Sequence, residues 1–308
     1  MKKLLYLCLP IVSIVLLSGC IKEEYDDCER CKLTFSYLGD GSSDIFAEKI
    51  TDVSLYVYDA NGALVQTKHI KHSDLKAYQG TKLNLKKGVY EVVGVGNVFN
   101  KTTVTAPAQG SMTDRYFNHP NADKGGKVEG NDSLYLGRQT INMPNDWYEA
   151  DVPFRSSHLK VSYQVIAENA QWTTINDTSD THYTLQVNNL KPKTNFENTA
   201  FDTSITYDPV LSLDATDLTH NSYFNIMRHP KQSDVEFVLT EKATGKVIHT
   251  LRLEDFLNEF KVIDVTKQEV LIPIVVKLVY QKNICADVVV TIPDWVVNDV
   301  TPGFGDNK

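Results

Sequence analysis

Apolar and polar residues alternate with a period of two through most of the chain, which is the pattern of β-strands with one buried face. In residues 53–70, Val53, Leu55 and Val57 share one face of a predicted strand, and Asp59-Ala60-Asn61-Gly62 follows with the residues of a tight turn. The alternation then resumes along a return strand. This segment therefore predicts a β-hairpin.

A second unit of this kind covers residues 81–97, with a turn at Lys86-Lys87-Gly88. Gly94 and Gly96 within it indicate close backbone approach or a bulge. The stretch from about residue 100 to 133 is polar and rich in glycine. We expect a long loop or insertion there, within the first domain.

Strand patterns resume after residue 133 and fill the second half of the chain. Residues 156–168 alternate, and residues 233–253 predict a hairpin turned by Ala243-Thr244-Gly245. A closing hairpin is predicted over residues 270–292, with its turn at Gln281-Lys282-Asn283. One segment breaks the period of two: the apolar residues Leu253, Phe256, Leu257 and Phe260 have the i, i+3, i+4, i+7 spacing of a short amphipathic helix.

These patterns predict an all-β protein built from two tandem antiparallel β-sandwiches with Greek-key connections, and one short helix in the second. A length of 308 residues also suits two domains better than one. We place the boundary near Pro153, between Arg155 and Ser156. The predicted domains are therefore residues 31–155 and 156–308.

The first residues have the layout of a secretory signal, with basic Met1-Lys2-Lys3 before an apolar run over residues 4–17. That run is shorter than the roughly 20 residues of a membrane-spanning helix. Leu17-Ser18-Gly19-Cys20 resembles the lipobox of bacterial lipoproteins, in which the cysteine thiol receives diacylglycerol. We predict a signal peptide over residues 1–19 and lipidation of Cys20; the alternative is an ordinary cleavable signal followed by a chance cysteine.

Residues 20–30 form a predicted acidic, lipidated tether. Lys22, Glu23 and Glu24 resemble the short signal that sends lipoproteins of Bacteroidota to the outer face of the outer membrane. The alternative is a solvated tether that happens to be acidic, since further carboxylates follow and favour an extended segment. We therefore expect a lipid-anchored outer-membrane protein that faces the cell exterior.

The cysteines allow several kinds of chemistry. Cys28 and Cys31 form a CxxC pair that follows the acidic tether, whereas a thioredoxin-like pair follows a strand and opens a helix. A zinc site would need further ligands at suitable spacing. Outside the cytoplasm a structural disulfide between Cys28 and Cys31 is the favoured interpretation. Cys285, in an apolar context, is predicted to be a small buried residue.

Charge and motifs exclude several classes of function. The net charge of −8, without a basic stripe, is the wrong sign for a nucleic-acid-binding protein. No nucleophile-elbow, zinc-protease, phosphate-loop or dinucleotide motif occurs, so we predict no enzyme activity, no cofactor and no metal. Three weaker patterns have a plain structural role as the favoured interpretation. They are the His69/His72 pair as metal ligands, the loop from Asp40 to Asp44 as a calcium site, and Trp147, Trp172 and Trp295 as a sugar-stacking platform.

The order of these features resembles the FimB-like, or minor-fimbrium, anchor family of Bacteroidota. The resemblance extends over roughly residues 28–300 and is most specific at Val53 to Gly62 and Gly88 to Asn97. It begins with the lipobox cysteine and the close cysteine pair, and it ends with the paired strands that reach Trp295. Family members are similar to paired transthyretin-like β-sandwiches, which agrees with the two halves predicted above.

The resemblance implies a lipoprotein that anchors fimbriae to the outer membrane and ends fibre assembly. Its partners would be fimbrial pilin subunits, joined by donor-strand exchange. Stalk subunits of such fimbriae are trimmed by an Arg-specific protease, but neither Arg30 nor Arg155 lies in a clear cleavage context. The main alternative is a surface glycan-binding lipoprotein of a nutrient-uptake system; a tethered hydrolase and another fimbrial position, such as a tip adhesin, are further alternatives.

Overall fold

The computed structural model describes residues 29–168, 182–214, 216, 219–229, 234–282 and 284–297. β-strands dominate these residues, so the all-β prediction is confirmed. The strands of the first half are β1 Cys31–Ser36, β2 Val53–Asp59, β3 Leu64–Ile70, β4 Gly80–Leu83, β5 Gly88–Gly96, β6 Thr103–Thr105, β7 Tyr116–Asn118, β8 Tyr135–Met143 and β9 Tyr148–Ser156. Its helices are α1 Phe46–Lys49, α2 His72–Ala77 and a 3₁₀ turn at Ala122–Lys124.

The first half is organised around a seven-stranded sheet in the order β3-β2-β5-β8-β9-β1-β4. Only the end of β9 pairs with β8, whereas its beginning pairs in parallel with β1. Apolar residues of β2, β5 and β8 meet those of β1, β4 and β9 in one core, so the sheet curves around its own apolar face. β2 and β3 form the predicted hairpin, but β4 pairs with β1 rather than with β5.

Phe154 of β9 sits at the centre of this core. Its ring centroid lies 5.6 Å from that of Phe35 and 5.3 Å from that of Phe46. A Cβ atom on Gly94 would lie 2.7 Å from the Phe154 ring, and one on Gly137 would lie 2.6 Å from it. Glycine at these two strand positions therefore makes room for the aromatic ring, in agreement with the close approach predicted at Gly94.

The second half contains a five-stranded and a four-stranded sheet. Its strands are β10 His158–Glu168, β11 Tyr183–Leu190, β12 Lys193–Asn195, β13 Ala200–Phe201, β14 Ile205–Tyr207, β15 Ser212–Asp214, β16 Thr219–Met227, β17 Glu236–Glu241, β18 Val247–Arg252, β19 Leu271–Gln281 and β20 Ile284–Thr291. The two orders are β15-β16-β10-β19-β20 and β14-β11-β17-β18, and their apolar faces share one core. The predicted amphipathic helix is confirmed as α3 Leu253–Glu259, and α4 Asp294–Val297 follows β20.

The segment that we expected to be a long loop is partly structured. β6 and β7 from that segment join β12 and β13 of the second half in a small sheet. Phe117 and Phe196 from this sheet pack with outward-facing side chains of β2, β5 and β8 in a third buried cluster. The expectation of a loop was wrong because its apolar residues are few, and they become buried only against residues distant in sequence.

Three strand patterns were read correctly at the level of hairpins. β2–β3, β17–β18 and β19–β20 are antiparallel pairs joined at the predicted turns. Pro153, expected close to the domain boundary, lies within β9, and only residue 157 separates β9 from β10. The division at residues 155 and 156 and the transthyretin-like topology stay predictions. Helix α2 was not predicted.

Candidate functional site

The structure accounts for only part of the predicted attachment apparatus. Cys20, Lys22, Glu23, Glu24 and Cys28 lie outside the described residues. Cys31 opens β1 and is fully buried. Burial raises the pKa of the Cys31 thiol to about 11, so a reactive thiolate is disfavoured there. The Cys28–Cys31 disulfide stays a prediction.

The predicted tether leads directly into a strand that is paired on both sides. β1 runs parallel to β9 from Cys31↔Tyr148 to Ser36↔Pro153, and antiparallel to β4. Its side chains alternate between buried and half-buried along the whole strand. A force applied through residues 20–30 would therefore act first on an integral strand of the first core and not on a loose terminus.

A carboxylate connects this strand to the second half of the protein. One oxygen of Glu269 accepts hydrogen bonds from the hydroxyls of Tyr37, at 2.6 Å, and Tyr135, at 3.0 Å. Its other oxygen accepts from Lys160 Nζ at 2.7 Å. Burial by itself would raise the pKa of Glu269, but the hydrogen bonds from Lys160 and Tyr37 outweigh it and leave that pKa below its ordinary value.

Asp40 and Arg228 add further hydrogen bonds next to Glu269. We call Glu269 with Tyr37, Tyr135, Lys160, Asp40 and Arg228 the junction cluster. The carboxylate of Asp40 accepts hydrogen bonds from the backbone N–H groups of Gln268 and Glu269 at 2.9–3.0 Å. Arg228 donates to the carbonyl oxygens of Val265 and Gln268 at 2.7 and 3.0 Å. In the loop from Asp40 to Asp44, the carboxylate of Asp40 thus binds the backbone of the second half of the chain.

We expect Glu269→Ala to lower the free energy of unfolding by about 2–3 kcal/mol, because it removes the charge-assisted hydrogen bond from Lys160 and takes away the acceptor of the buried Tyr37 hydroxyl. Urea denaturation of the full-length protein in detergent measures the change. The matched control is Glu254→Ala, since among the described residues Glu254 makes one ion pair, at 3.8 Å with the exposed Arg252, worth about 0–1 kcal/mol. Equal losses in the two variants would contradict a role for the junction cluster in stability.

The other notable surface is a groove between β18 and β20, which are edge strands of the two sheets of the second half. Lys246, Ile248, Cys285, Ala286, Asp287 and Val288 line a volume of about 310 Å³ there. Val247, Ile284 and Val289 belong to the same two strands but are not among these lining residues, and 51%, 66% and 46% of their surfaces are exposed. We call this the β18/β20 groove; among the described strands it brings together two sheet edges that no further strand covers, on strands with exposed apolar side chains.

The facing edges of the first half are closed by comparison. Lys68 of β3 donates from Nζ to the carbonyl oxygen of Lys82 in β4 at 2.9 Å. Helix α2 connects these two strands and buries Leu75 in the core beside them. At the other side of the second half, β14 and β15 are joined by a short connection that buries Leu211. Among these described edges, β18 and β20 therefore form the side of the second half that no helix, side-chain bridge or buried connection covers.

Cys285 lies in the wall of this groove and is half-buried, not fully buried as predicted. Its Sγ lies 3.5 Å from the carbonyl oxygen of Asp287. Partial burial raises the pKa of the Cys285 thiol above its ordinary value. The register of β20 against β19 shifts next to it, where Tyr280 pairs with Cys285 and Val279 with Asp287.

The weaker sequence candidates are accounted for in other ways. His69 Nε2 lies 2.6 Å from a carboxylate oxygen of Asp52, and His72 begins α2. No group of three or more metal-ligating side chains occurs among the described residues. Trp147 is half-exposed just before β9, Trp295 belongs to α4 in the other half, and Trp172 lies outside the described residues. The described tryptophans therefore belong to elements of different halves.

Neither the groove nor the junction cluster was singled out from the sequence. The two strands of the groove were predicted, but in separate hairpins far apart in the chain. Glu269 lies in a short polar stretch with no motif. The sequence signal for the groove was weak: Asp287 interrupts the apolar residues of β20, and a charged residue within a strand is typical of an edge strand.

Residues 25–301 match the family described as fimbrillin-A associated anchor proteins Mfa1 and Mfa2. No curated protein matches the chain. A candidate adhesin from Bacteroides ovatus has a similar structure, with a TM-score of 0.69 and 17% identity over 88% of this chain and 95% of that one. The fimbrial anchor protein Mfa2 from Porphyromonas gingivalis gives a TM-score of 0.60 and 14% identity over 85% and 94% of the two chains.

A candidate polysaccharide-binding protein from Bacteroides thetaiotaomicron is a further neighbour, with a TM-score of 0.65 and 17% identity over 85% of this chain and 95% of that one. At identities this low, the likeness to solved structures shows a shared fold. The assignment to a family rests on the sequence match, which extends over most of the chain.

Proposed function

Because this chain belongs to the family of fimbrillin-A associated anchor proteins, we propose that it holds fimbriae at the cell surface and ends their assembly. The family consists of fimbrial structural proteins and not of enzymes. Membership also favours the anchor over a lipoprotein of a nutrient-uptake system. Fimbrial subunits are accordingly the partners of this protein in our proposal.

The membrane end of the proposed anchor is the lipid on Cys20. The signal peptide of residues 1–19 would be removed, and residues 20–30 would span the distance from the outer membrane to β1. Lys22, Glu23 and Glu24 would direct the protein to the exterior face. Among the described residues, no helix has the length and apolar character needed to cross a bilayer. In this proposal the lipid on Cys20 carries the membrane attachment.

The fimbrial end of the proposed anchor is the β18/β20 groove. An extended segment of a pilin subunit can add backbone hydrogen bonds along an unpaired strand edge, while alternate side chains enter apolar pockets. The observation that carries this proposal is the combination of two such edges with the exposed apolar side chains of Val247, Ile284 and Val289. Strand complementation there would need no catalysis.

The intact first half supports the proposed termination of assembly. β1 already pairs with β9 and β4, so it occupies its own place in the sheet. The carbonyl oxygen of Arg30 accepts a hydrogen bond from Tyr148 N. Arg155 lies within β9 and pairs with Leu136 of β8. Backbone held in this way is a poor protease substrate, which supports an untrimmed subunit that offers no second groove in its first half.

We expect Val247→Lys to weaken capture of fimbriae at least tenfold, because it places a charge where an apolar side chain of the incoming strand would pack. Binding of fimbriae purified from the same cells to the detergent-solubilised full-length protein measures the effect. The matched control is Val65→Lys on the edge strand β3, whose exposure of 48% is nearly the same. Retained binding by Val247→Lys, or equal loss in both variants, would remove the groove from the proposal.

A second readout uses the native thiol in the groove. In the proposed complex Cys285 is covered, so its alkylation by a small maleimide slows when fimbriae are bound. Unchanged labelling in a demonstrated complex would place the partner elsewhere on the protein.

A further inference from the structure

A second cleft opens where β8 and β9 separate. The two strands pair only where Tyr135–Gly137 face Phe154–Ser156. Beyond this point β9 turns to pair with β1, whereas β8 continues beside β5. A cleft of about 490 Å³ lies next to this split, and the turn after β12 forms its opposite wall. Both halves of the chain therefore contribute to it.

The lining of this cleft is mainly polar, above an apolar floor. Leu136 and Phe196, both buried, lie at its base, with Pro153 beside them. The walls carry hydrogen-bond donors and acceptors in turn: Glu91, Arg138, Gln139, Thr140, Arg155, Glu197 and Asn198. Mixed donors and acceptors of this kind match the hydroxyl groups of a sugar, each of which can donate one hydrogen bond and accept others.

The charges of the cleft are distributed unevenly. Arg138 pairs closely with Glu91 and lies 3.9 Å from Glu197, while the Thr140 hydroxyl donates to Glu91 at 2.6 Å. Arg155 is exposed, and its side chain makes no hydrogen bond or ion pair with the part of the chain that the structure describes. One end of the cleft thus presents an unpaired guanidinium, whose five N–H donors suit a carboxylate.

We propose that this cleft binds a saccharide that carries a single carboxylate, such as a terminal uronic acid. The volume lies within the range of about 300–1,000 Å³ found for small-molecule sites. Arg155 would bind the carboxylate, and the amides of Gln139 and Asn198 would bind hydroxyl groups. The protein's net charge of −8 opposes a densely charged polyanion and favours one acidic residue on an otherwise neutral glycan.

Titration of the full-length protein in detergent with methyl glucuronide and with methyl glucoside tests this assignment. Calorimetry or saturation-transfer NMR is expected to detect the glucuronide and to give at least tenfold weaker binding of the glucoside. Arg155→Gln should weaken glucuronide binding about tenfold, which corresponds to about 1.4 kcal/mol. Arg155 is exposed, so this variant is expected to fold normally.

The charge-matched control is Arg252→Gln, because Arg252 lies on β18 outside the cleft. Glucuronide binding by this variant should equal that of the unmodified protein. The proposal is overturned if the glucuronide does not bind, if the glucoside binds equally well, or if Arg155→Gln has no effect. None of these results bears on fimbrial anchoring, since the cleft is separate from the β18/β20 groove.

Discussion

Fimbriae are expected to move from the cells into the medium when Cys20 is replaced by Ala. The thiol of Cys20 is the proposed acceptor of the lipid, and each buried CH₂ group of an acyl chain contributes about 0.8 kcal/mol to membrane binding. Loss of the chains removes most of that free energy at once. Fimbriae would still assemble but would have no attachment at their base, so the cell-bound fraction should fall close to zero.

The experiment compares fimbriae on washed cells with fimbriae in the medium, together with incorporation of a labelled fatty acid into the protein. The control Ser18→Ala keeps a small residue in the lipobox and keeps the thiol, so it should be lipidated and should retain fimbriae. Fimbriae that remain on cells although Cys20→Ala carries no lipid would refute the proposed anchor. Detection of the Cys20→Ala protein in the shed fimbriae distinguishes this result from failure of export, because a variant that stays inside the cell would be absent from them.

The protein is expected to unfold as the pH falls from about 6.5 towards 4. Burial lowers the pKa of His158, His220 and His229 from 6.5 to about 4 in each case. Below pH 6.5 the unfolded chain takes up these protons while the folded protein stays neutral there, so stability is present above pH 6.5 and is lost as the pH falls. Each histidine can contribute on the order of 3 kcal/mol by pH 4, and three together approach the total stability of a domain, about 5–15 kcal/mol.

Most charged groups near His158, His220 and His229 also oppose protonation of these three side chains. His220 faces His182, with 3.3 Å between their ring nitrogens, and His229 lies near Lys191. Lys160 and Arg228 also oppose the charged form of His158, whereas Glu269 and the carbonyl oxygen of Leu134 favour it. Burial is the largest cause at all three positions, so loss of stability on acidification is the expected direction.

Urea midpoints measured between pH 7 and 4.5 test this expectation. His220→Phe keeps an aromatic ring beside Tyr183 and removes one titrating group, so the pH-dependent loss should shrink by about a third whatever the stability at pH 7. A midpoint that is flat from pH 7 to 4.5, or a slope in His220→Phe equal to that of the unmodified protein, would contradict the assignment to buried histidines.

The sequence predicted most of the second half at the level of elements. In β10 the residues Leu159, Val161, Tyr163 and Val165 alternate with polar ones, and all four are buried. Helix α3 was recognised from its spacing because its apolar residues face one core. Such local periodicity is visible whenever one face of an element is buried and the other is solvated.

The prediction was poorer where burial comes from distant parts of the chain. β6 and β7 carry too few apolar residues to show a period, and β12 and β13 supply their pairing partners from the other half. The turn at Lys86-Lys87-Gly88 suggested that β4 pairs with β5, since strands adjacent in sequence commonly pair, but β4 pairs with β1. Strand pairing of this kind depends on the whole sheet and not on the local sequence.

The sequence by itself determined the all-β class, the principal hairpins and the amphipathic helix, and it predicts a lipobox followed by an acidic tether. Each of these depends on a few consecutive residues, through side-chain periodicity, turn chemistry or a short recognition motif. Only the tertiary structure decided that Glu269 would join the two halves, that β18 and β20 would leave open edges beside each other, and that Arg155 would stand unpaired in a cleft. These features are made by groups that meet only after the chain has folded, because long-range packing fixes which edges and charges are covered and which are left for a partner.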